Sequence, residues 1–166
     1  MSTLSKTALL TQINTLLADN TTGDITASDL RSVLTDIVDS YPDIQVASGT
    51  LTSAQIKALH TTPITLISAP GAGIMLQPLA MRFFLDFETT AYTGSYTLRF
   101  KYNSSTASFF SVDSTYVNSV ADYLSVLPDK DTKAYVNDAF VVDSTAAIST
   151  GDSPIKYKIY YALDTF

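Results

Sequence analysis

The spacing of apolar residues predicts two amphipathic helices in the first forty residues of the chain. Apolar residues of the first segment recur three and four positions apart, which places them on one stripe of a helix. These residues are Leu9, Ile13, Leu16 and Leu17. Turn-forming residues over 19–24 then interrupt the pattern, and a second helical stripe follows. It comprises Leu30, Val33, Leu34, Ile37 and Val38.

The second helix has sequence signals at both of its ends. Thr26 followed by Asp29 resembles a capping box in which aspartate replaces glutamate. The helix is predicted to stop before Pro42, because a residue that precedes proline disfavours the helical conformation. Helices this short are not stable on their own, so we expect both stripes to need a partner surface. The predicted assembly interface consists of Leu9, Ile13, Leu16, Leu30, Val33, Leu34, Ile37 and Val38.

From Ile44 onward apolar residues alternate with polar ones, the pattern of half-buried strands. The three clearest predicted strands are 81–87, 96–102 and 155–161. Weaker patterns predict strands at 45–51, 64–68, 108–113 and 135–142, the last being a central or an interface strand. A short helix capped by Thr52 is predicted over 52–59. Residues 118–127 fit either a short helix or a strand.

These elements predict the α+β fold class, with β structure dominant. Residues 1–43 are expected to form a short helical hairpin that serves as an anchoring or oligomerisation element. Residues 44–166 are expected to form an antiparallel β-sandwich that resembles a jelly roll, because several short strands alternate with turn-rich loops. Strands and helices do not alternate along this part of the chain, which argues against a parallel sheet.

The composition indicates that other subunits cover part of the apolar surface, and it excludes several kinds of site. Only 16% of the 166 residues are charged, against about 25% in typical soluble domains. We therefore expect other subunits to cover part of the apolar surface. The chain has no cysteine and a single histidine, which excludes disulfides, a cysteine nucleophile and a Cys/His metal site. No cofactor and no metal are predicted.

The net charge and the amino-terminal sequence argue against two kinds of partner, nucleic acids and membranes. Ten Lys+Arg against sixteen Asp+Glu give a net charge of −6, so nucleic-acid binding is not expected. The first twenty residues have neither a signal-peptide pattern nor an apolar run long enough to cross a bilayer. We therefore expect synthesis in a cytoplasm and no membrane partner.

The residues that carry reactive groups do not form a recognisable catalytic motif. His60 lies after the predicted short helix and is best interpreted as a loop or capping residue. Asp86 and Glu88 would share the polar face of a strand beside Arg82, where cross-strand ion pairs explain them better than glycoside hydrolysis does. The glycine-rich segment 69–73 lacks the lysine of a phosphate-binding loop and favours a tight turn.

Half of the ten cations lie on the polar faces of the three clearest strands: Arg82, Arg99, Lys101, Lys156 and Lys158. If those strands share a sheet, they form a basic face on an acidic protein. The simpler interpretation is that these charges prevent aggregation. The sharper hypothesis is a docking face for an acidic partner or a neighbouring subunit.

Tyrosines outside the apolar faces are candidates for carbohydrate contact, because flat rings stack on sugars. Four of the ten tyrosines, Tyr96, Tyr102, Tyr157 and Tyr161, fall on the apolar faces of the predicted strands. Tyr92 and Tyr160 do not, so they are the candidate contacts with a surface glycan.

Three segments resemble proteins of tailed phages. Residues 23–40 resemble a short helical element near the start of fibre and appendage proteins, and 51–73 and 150–161 are similar to the opening and the closing strand of a β-rich virion domain. Residues 103–149 resemble no known segment. Ile74 and Met75 follow the second segment where a basic or polar residue is typical, which predicts deeper burial of that strand.

The resemblance implies a non-enzymatic structural protein of a virion. It would be a head fibre, a capsid decoration protein or a tail-fibre component, located in the particle, commonly a homotrimer and bound to other virion proteins. The alternative hypothesis is a tail-fibre or receptor-binding module that recognises host surface carbohydrate. A small hydrolase that depends on His60 is the weakest of the three hypotheses.

Overall fold

The computed structural model describes residues 44–128 and 135–165, together with twelve positions between 7 and 35. The chain divides into two compact units, Met1–Asp43 and Ile44–Phe166. In the first unit, eleven of the twelve described positions are helical, five between 7 and 14 and six between 28 and 35. The amide of Leu30 donates to the carbonyl of Thr26 at 3.2 Å, as expected where a helix begins at Thr26.

The second unit is built from ten strands and two short helices among its described residues. In chain order they are β1 (Gln45–Leu51), α1 (Ser53–Ala58), β2 (Ile64–Ile67), β3 (Ile74–Leu85), β4 (Tyr92–Thr93), β5 (Thr97–Tyr102), β6 (Phe110–Asp113), α2 (Ser114–Val117), β7 (Tyr123–Pro128), β8 (Phe140–Ser144), β9 (Ser149–Thr150) and β10 (Ile155–Thr165). The predicted predominance of β structure is therefore confirmed.

The strands form two four-stranded antiparallel sheets and one small pair. Sheet I has the order β1-β10-β3-β7, sheet II has the order β2-β8-β5-β6, and β4 pairs with β9. Within the two large sheets, β3 also pairs with β10 and β5 with β8, and the other four pairings are nested along the chain. Strand β1 pairs with β10, β2 with β8, β3 with β7 and β5 with β6, each antiparallel.

Apolar side chains from both sheets belong to one hydrophobic core. Met81 and Phe83 of sheet I and Phe100 of sheet II are fully buried members of it. Four aromatic residues pack edge to face, with ring centroids 5.0 to 6.2 Å apart and ring planes inclined by 76 to 86°. They are Tyr102, Phe109, Phe110 and Phe140. This geometry is favourable for aromatic quadrupoles and adds to the stabilisation from burial.

Most predicted strands are confirmed. Their boundaries differ from the prediction where backbone amides donate hydrogen bonds to loop residues instead of to a neighbouring strand. The undecided segment 118–127 contributes most of strand β7, which follows helix α2. Strand β3 begins at Ile74, and the predicted burial of Met75 is confirmed at 6% exposure. It ends at Leu85 because the next two amides donate to the carbonyl of Pro154 and the carboxylate of Asp122.

The strand predicted over 135–142 is wrong at its beginning. Asn137 has φ +52°, which a strand does not adopt, and the buried carboxylate of Asp138 accepts a hydrogen bond from the amide of Ser104. Strand β8 therefore begins only at Phe140. It lies between β2 and β5 with all five of its residues buried, so the central-strand interpretation is the correct one.

Helix α1 confirms the prediction that Thr52 caps it. The Thr52 hydroxyl accepts from the amide of Gln55 at 3.3 Å, and the Gln55 side chain accepts from the amide of Thr52 at 2.9 Å. Two backbone donors that have no partner within the helix are thus satisfied reciprocally.

Buried tyrosines predict that the fold weakens in alkali. Loss of hydration on burial raises the pKa of the Tyr92, Tyr96 and Tyr157 phenols above the ordinary value of 10.0. The folded protein therefore holds these protons at a pH where the unfolded chain releases them. Its free energy of unfolding should fall as the pH rises above about 10.

Phenolate absorbance during an alkaline titration tests this expectation. In the folded protein, part of the absorbance change should appear only together with unfolding, whereas the ten tyrosines of the urea-unfolded chain should all titrate near about 10. If the native protein reached full phenolate absorbance near that pH while its circular dichroism stayed unchanged, the expectation would be contradicted.

Candidate assembly surface

The outer face of sheet I places cations beside exposed apolar side chains. The register of the four strands puts Ser48, Lys158, Arg82 and Val126 in one row and Thr50, Lys156, Phe84 and Leu124 in the next. We call the surface formed by Arg82, Phe84, Leu124, Val126, Lys156 and Lys158 the cationic face. Val126 is 61% exposed and Leu124 is 62% exposed, so the face combines charge with accessible apolar area.

The cations of this face are not equally neutralised. The ammonium of Lys156 lies 2.7 Å from the carboxylate of Asp86 and 5.8 Å from the centroid of the Phe84 ring. The guanidinium of Arg82 lies 6.0 Å from the Tyr160 ring centroid. Within the described part of the chain, neither Arg82 nor Lys158 has a carboxylate at ion-pair distance. Two positive charges on the cationic face therefore have no acidic partner among these residues.

A shallow depression of about 220 Å³ opens between these side chains. It is lined by Arg82, Phe84, Leu124, Lys156, Tyr157 and Lys158. Its lining therefore combines two aromatic rings and a leucine with three cationic side chains.

The predicted five-residue docking face is divided between the two sheets. Arg82, Lys156 and Lys158 lie together on sheet I, but Arg99 and Lys101 lie on β5 of sheet II, so the condition that the strands share one sheet is not met. Strand β5 pairs with β6 and β8, and neither of these belongs to sheet I.

Arg99 and Lys101 have local partners on sheet II. The Arg99 guanidinium donates two hydrogen bonds to the Asp143 carboxylate, at 2.8 and 2.7 Å. Lys101 is 8% exposed, donates to the carbonyl of Ser105 at 2.8 Å and lies 3.6 Å from the Asp143 carboxylate. Both cations are therefore engaged within the fold, which leaves three of the five predicted residues on the cationic face.

The two candidate carbohydrate contacts have different environments. Tyr92 is 1% exposed, and its hydroxyl donates to the carbonyl of Ser153 at 2.5 Å. A buried ring cannot stack on a sugar, so the structure corrects the expectation for Tyr92. Tyr160 is half-buried beside Arg82, at the border of the cationic face.

The residues considered for catalysis have structural partners. The Nδ1 atom of the exposed His60 lies 3.2 Å from the carbonyl of Ser144, which fits its interpretation as a loop residue. Asp86 is in the ion pair with Lys156, and the amide of Glu88 donates to the Ser153 hydroxyl at 3.0 Å. The glycine-rich segment is the turn before β3, with φ +116° at Gly71.

Asp152 organises the loop after β3 through hydrogen bonds. Its carboxylate accepts from the Thr89 hydroxyl and from the amides of Thr89 and Thr90. These bonds, the one from the Thr89 hydroxyl first, lower the pKa of Asp152 to about 2. The perturbed carboxyl is thus explained by the architecture of the loop.

The amino-terminal interface residues are described only in part. Ile13 and Leu34 are half-buried at helical positions, and Leu30 is helical and 39% exposed. Leu9, Leu16, Val33, Ile37 and Val38 lie outside the described residues. Their role in assembly stays a prediction.

The structure also reveals an exposed apolar segment that sequence reasoning missed, the connection between β6 and β7. Tyr116 is 46% exposed and stacks on Tyr123, with ring centroids 4.7 Å apart and an interplanar angle of 24°. Val120 is 74% exposed. The available signal was the pattern of residues 118–127, which fits either a short helix or a strand.

Among the described residues, no group of three or more acidic or histidine side chains lies close enough together to hold a metal ion. In the same part of the chain, no helix has the length and apolarity to cross a membrane.

The described residues form a mainly β protein in which one face of sheet I combines cations with exposed apolar side chains. No protein-family model and no curated protein matches the chain. Among solved structures, it is similar to a chain of the cyanophage Pam1 capsid asymmetric unit. The TM-score is 0.52 with 15% sequence identity, over 73% of this chain and 85% of that chain. At this identity the similarity shows a shared fold.

A chain in the acid-stable capsid of Helicobacter pylori bacteriophage KHP30 also aligns with this protein. The TM-score is 0.44 with 12% identity, over 74% of this chain and 94% of that chain.

Proposed function

We propose that the protein is a non-enzymatic structural component of a phage virion, a capsid decoration or head-fibre protein that assembles as a homotrimer. The observation that carries the proposal is the shared fold with a chain of the Pam1 capsid asymmetric unit. In this proposal, residues 1–43 anchor the protein to the particle or to other copies, and residues 44–166 form the projecting body.

The nested strand pairing supports a jelly roll for that body. In a jelly roll, a long hairpin of paired strands wraps around a core, so that consecutive strands alternate between two sheets. Here β1 and β10 lie in sheet I, β2 and β8 in sheet II, β3 and β7 in sheet I, and β5 and β6 in sheet II. Double-sheet jelly rolls are common in viral capsid proteins.

Location in the virion is tested on purified particles of the phage whose genome encodes the chain. Mass spectrometry of gradient-purified particles should detect the protein in many copies, and immunogold labelling should mark the head. Unlabelled particles without peptides from the chain would overturn the virion role.

The oligomeric state is tested on the full chain in solution. Light scattering coupled to gel filtration should give a mass near three times the 17.9 kDa of one chain. A concentration-independent mass of one chain would overturn the homotrimer without affecting the location of the protein in the virion.

The alternative function, recognition of a host surface carbohydrate, depends on Tyr160. Tyr92 is buried and Tyr160 is half-buried, so Tyr160 is the more accessible of the two candidate rings. A glycan array would support this alternative only if it bound the wild-type protein and not the Tyr160→Ala variant.

A further inference from the structure

The cationic face contains an unfavourable pair of like charges. Lys158 on β10 stands directly opposite Arg82 on β3, and both side chains are exposed. Like charges at directly opposed positions destabilise an isolated sheet. Neither side chain has a carboxylate partner among the described residues, although the whole chain carries a net charge of −6. A surface of this kind becomes favourable when a partner supplies negative charge.

The apolar residues of the same face indicate that the partner also presents apolar side chains. Leu124 and Val126 are more than half exposed, and both lie on β7, one of the two edge strands of sheet I. Beside them, the depression of about 220 Å³ has Phe84 in its lining. The fitting partner therefore presents carboxylates together with exposed apolar side chains.

The connection between β6 and β7 has this chemistry. Residues 113–123 include two aspartates, Asp113 and Asp122, and no lysine or arginine. Between the aspartates, Tyr116 is 46% exposed and Val120 is 74% exposed. The Tyr116 ring is held in place by stacking on Tyr123. The connection and the cationic face therefore both present exposed side chains among the described residues.

We propose that the cationic face of one copy binds the 113–123 connection of a second copy of this chain. The contact rests on the homotrimer proposed above and gives that trimer an interface. The cationic face repels a copy of itself, so the contact joins two different surfaces, head to tail. A head-to-tail contact repeated around a closed ring generates cyclic symmetry, which includes the threefold case.

The contact is tested by replacing the two aspartates of the connection with asparagine, which removes their charge and keeps the shape of the side chains. In the Asp113→Asn/Asp122→Asn variant, the side-chain oxygens that accept from the amides of Thr115 and Phe87 remain. The dissociation constant of the oligomer should rise by about tenfold or more. The control variant Glu88→Gln/Asp164→Asn also removes two exposed acids but lies outside the connection, so its dissociation constant should stay at the wild-type value. Equal dissociation constants for the two variants would overturn the proposal.

Cross-linking tests the head-to-tail geometry, because the chain contains no cysteine. Ser48→Cys introduces a thiol beside Lys158 without removing a cation, and Val120→Cys introduces one in the connection. The two single variants are co-expressed and treated with a short bismaleimide, and they should yield covalent dimers that contain one chain of each. Each variant expressed alone should yield few covalent dimers. Circular dichroism would verify that both variants fold.

The outcomes separate this contact from the proposed function. A wild-type trimer whose mixed variants do not cross-link, or cross-link no better than each variant alone, overturns the contact and leaves the trimer intact. A monomeric wild-type protein overturns the contact and the trimer together. Detection of the protein in purified particles decides the virion role independently of both.

Discussion

Replacing Phe140 with alanine should lower the free energy of unfolding by about 3–5 kcal/mol. Phe140 is fully buried and meets the rings of Tyr102, Phe109 and Phe110 edge to face. Truncation removes the transfer free energy of the ring and leaves a cavity whose aromatic walls relax only in part. Since domains of this size are stable by about 5–15 kcal/mol, the loss is a large fraction of the total.

Urea unfolding of the full chain measures this effect. All variants should be compared at one protein concentration, because association adds to the apparent stability of an oligomer. The urea midpoint of Phe140→Ala should fall by about 1 M or more. The control is Val136→Ala, since Val136 is 54% exposed and its truncation should change stability little. Equal midpoints for the two variants would show that the aromatic cluster does not stabilise the fold.

Replacing Gly151 with alanine should have a comparably large effect for a different reason. Gly151 has φ +76°, and an added Cβ would lie 2.1 Å from Cδ1 of Tyr92. The new methyl group meets a buried ring with no room to move, because Tyr92 is 1% exposed and hydrogen-bonded to the carbonyl of Ser153. Backbone strain of about 1–3 kcal/mol is therefore joined by an overpacking cost of similar size.

Gly71→Ala is the matched control for the Gly151 substitution. Gly71 also has positive φ, +116°, but the nearest atom to its added Cβ is 4.0 Å away. Both substitutions place alanine at positive φ, and Gly71 lies further from the left-handed region that alanine tolerates. A lower unfolding free energy of Gly151→Ala, which we expect by about 2 kcal/mol or more, is therefore attributed to the clash with Tyr92. If Gly151→Ala were no less stable than Gly71→Ala, the close packing of Tyr92 on Gly151 would be contradicted.

Tyr92 also shows why part of the candidate site was not predictable. Its ring packs on Gly151 and bonds to Ser153, about sixty positions further along the chain. From local sequence, a tyrosine outside the clear strands is expected at the surface, and this led to its selection as a carbohydrate contact. Its burial depends on the small β4–β9 pair, which brings Tyr92 opposite Thr150. Two-residue strands have too little periodicity to be recognised in advance.

The cations illustrate the same limit. Alternation correctly placed Arg82, Lys156 and Lys158 on the outer faces of their strands, where they lie together in the structure. Arg99 and Lys101 would join them only if the three strands shared a sheet, whereas the pairing of β5 with β8 places both beside Asp143 on sheet II. The segment around Val120 fits a helix and a strand equally well by its local pattern, so its exposure does not follow from the sequence.

Features that depend on neighbouring residues can be predicted from the chain alone. The period of apolar positions predicts strands β1, β5 and β10, the reciprocal bonds of Thr52 and Gln55 follow from their spacing, and Gly71 supports a turn. The partners of each strand and the surfaces that stay exposed depend on long-range packing. Every strand offers the same backbone donors and acceptors, so pairing is selected by contacts between residues far apart in the chain.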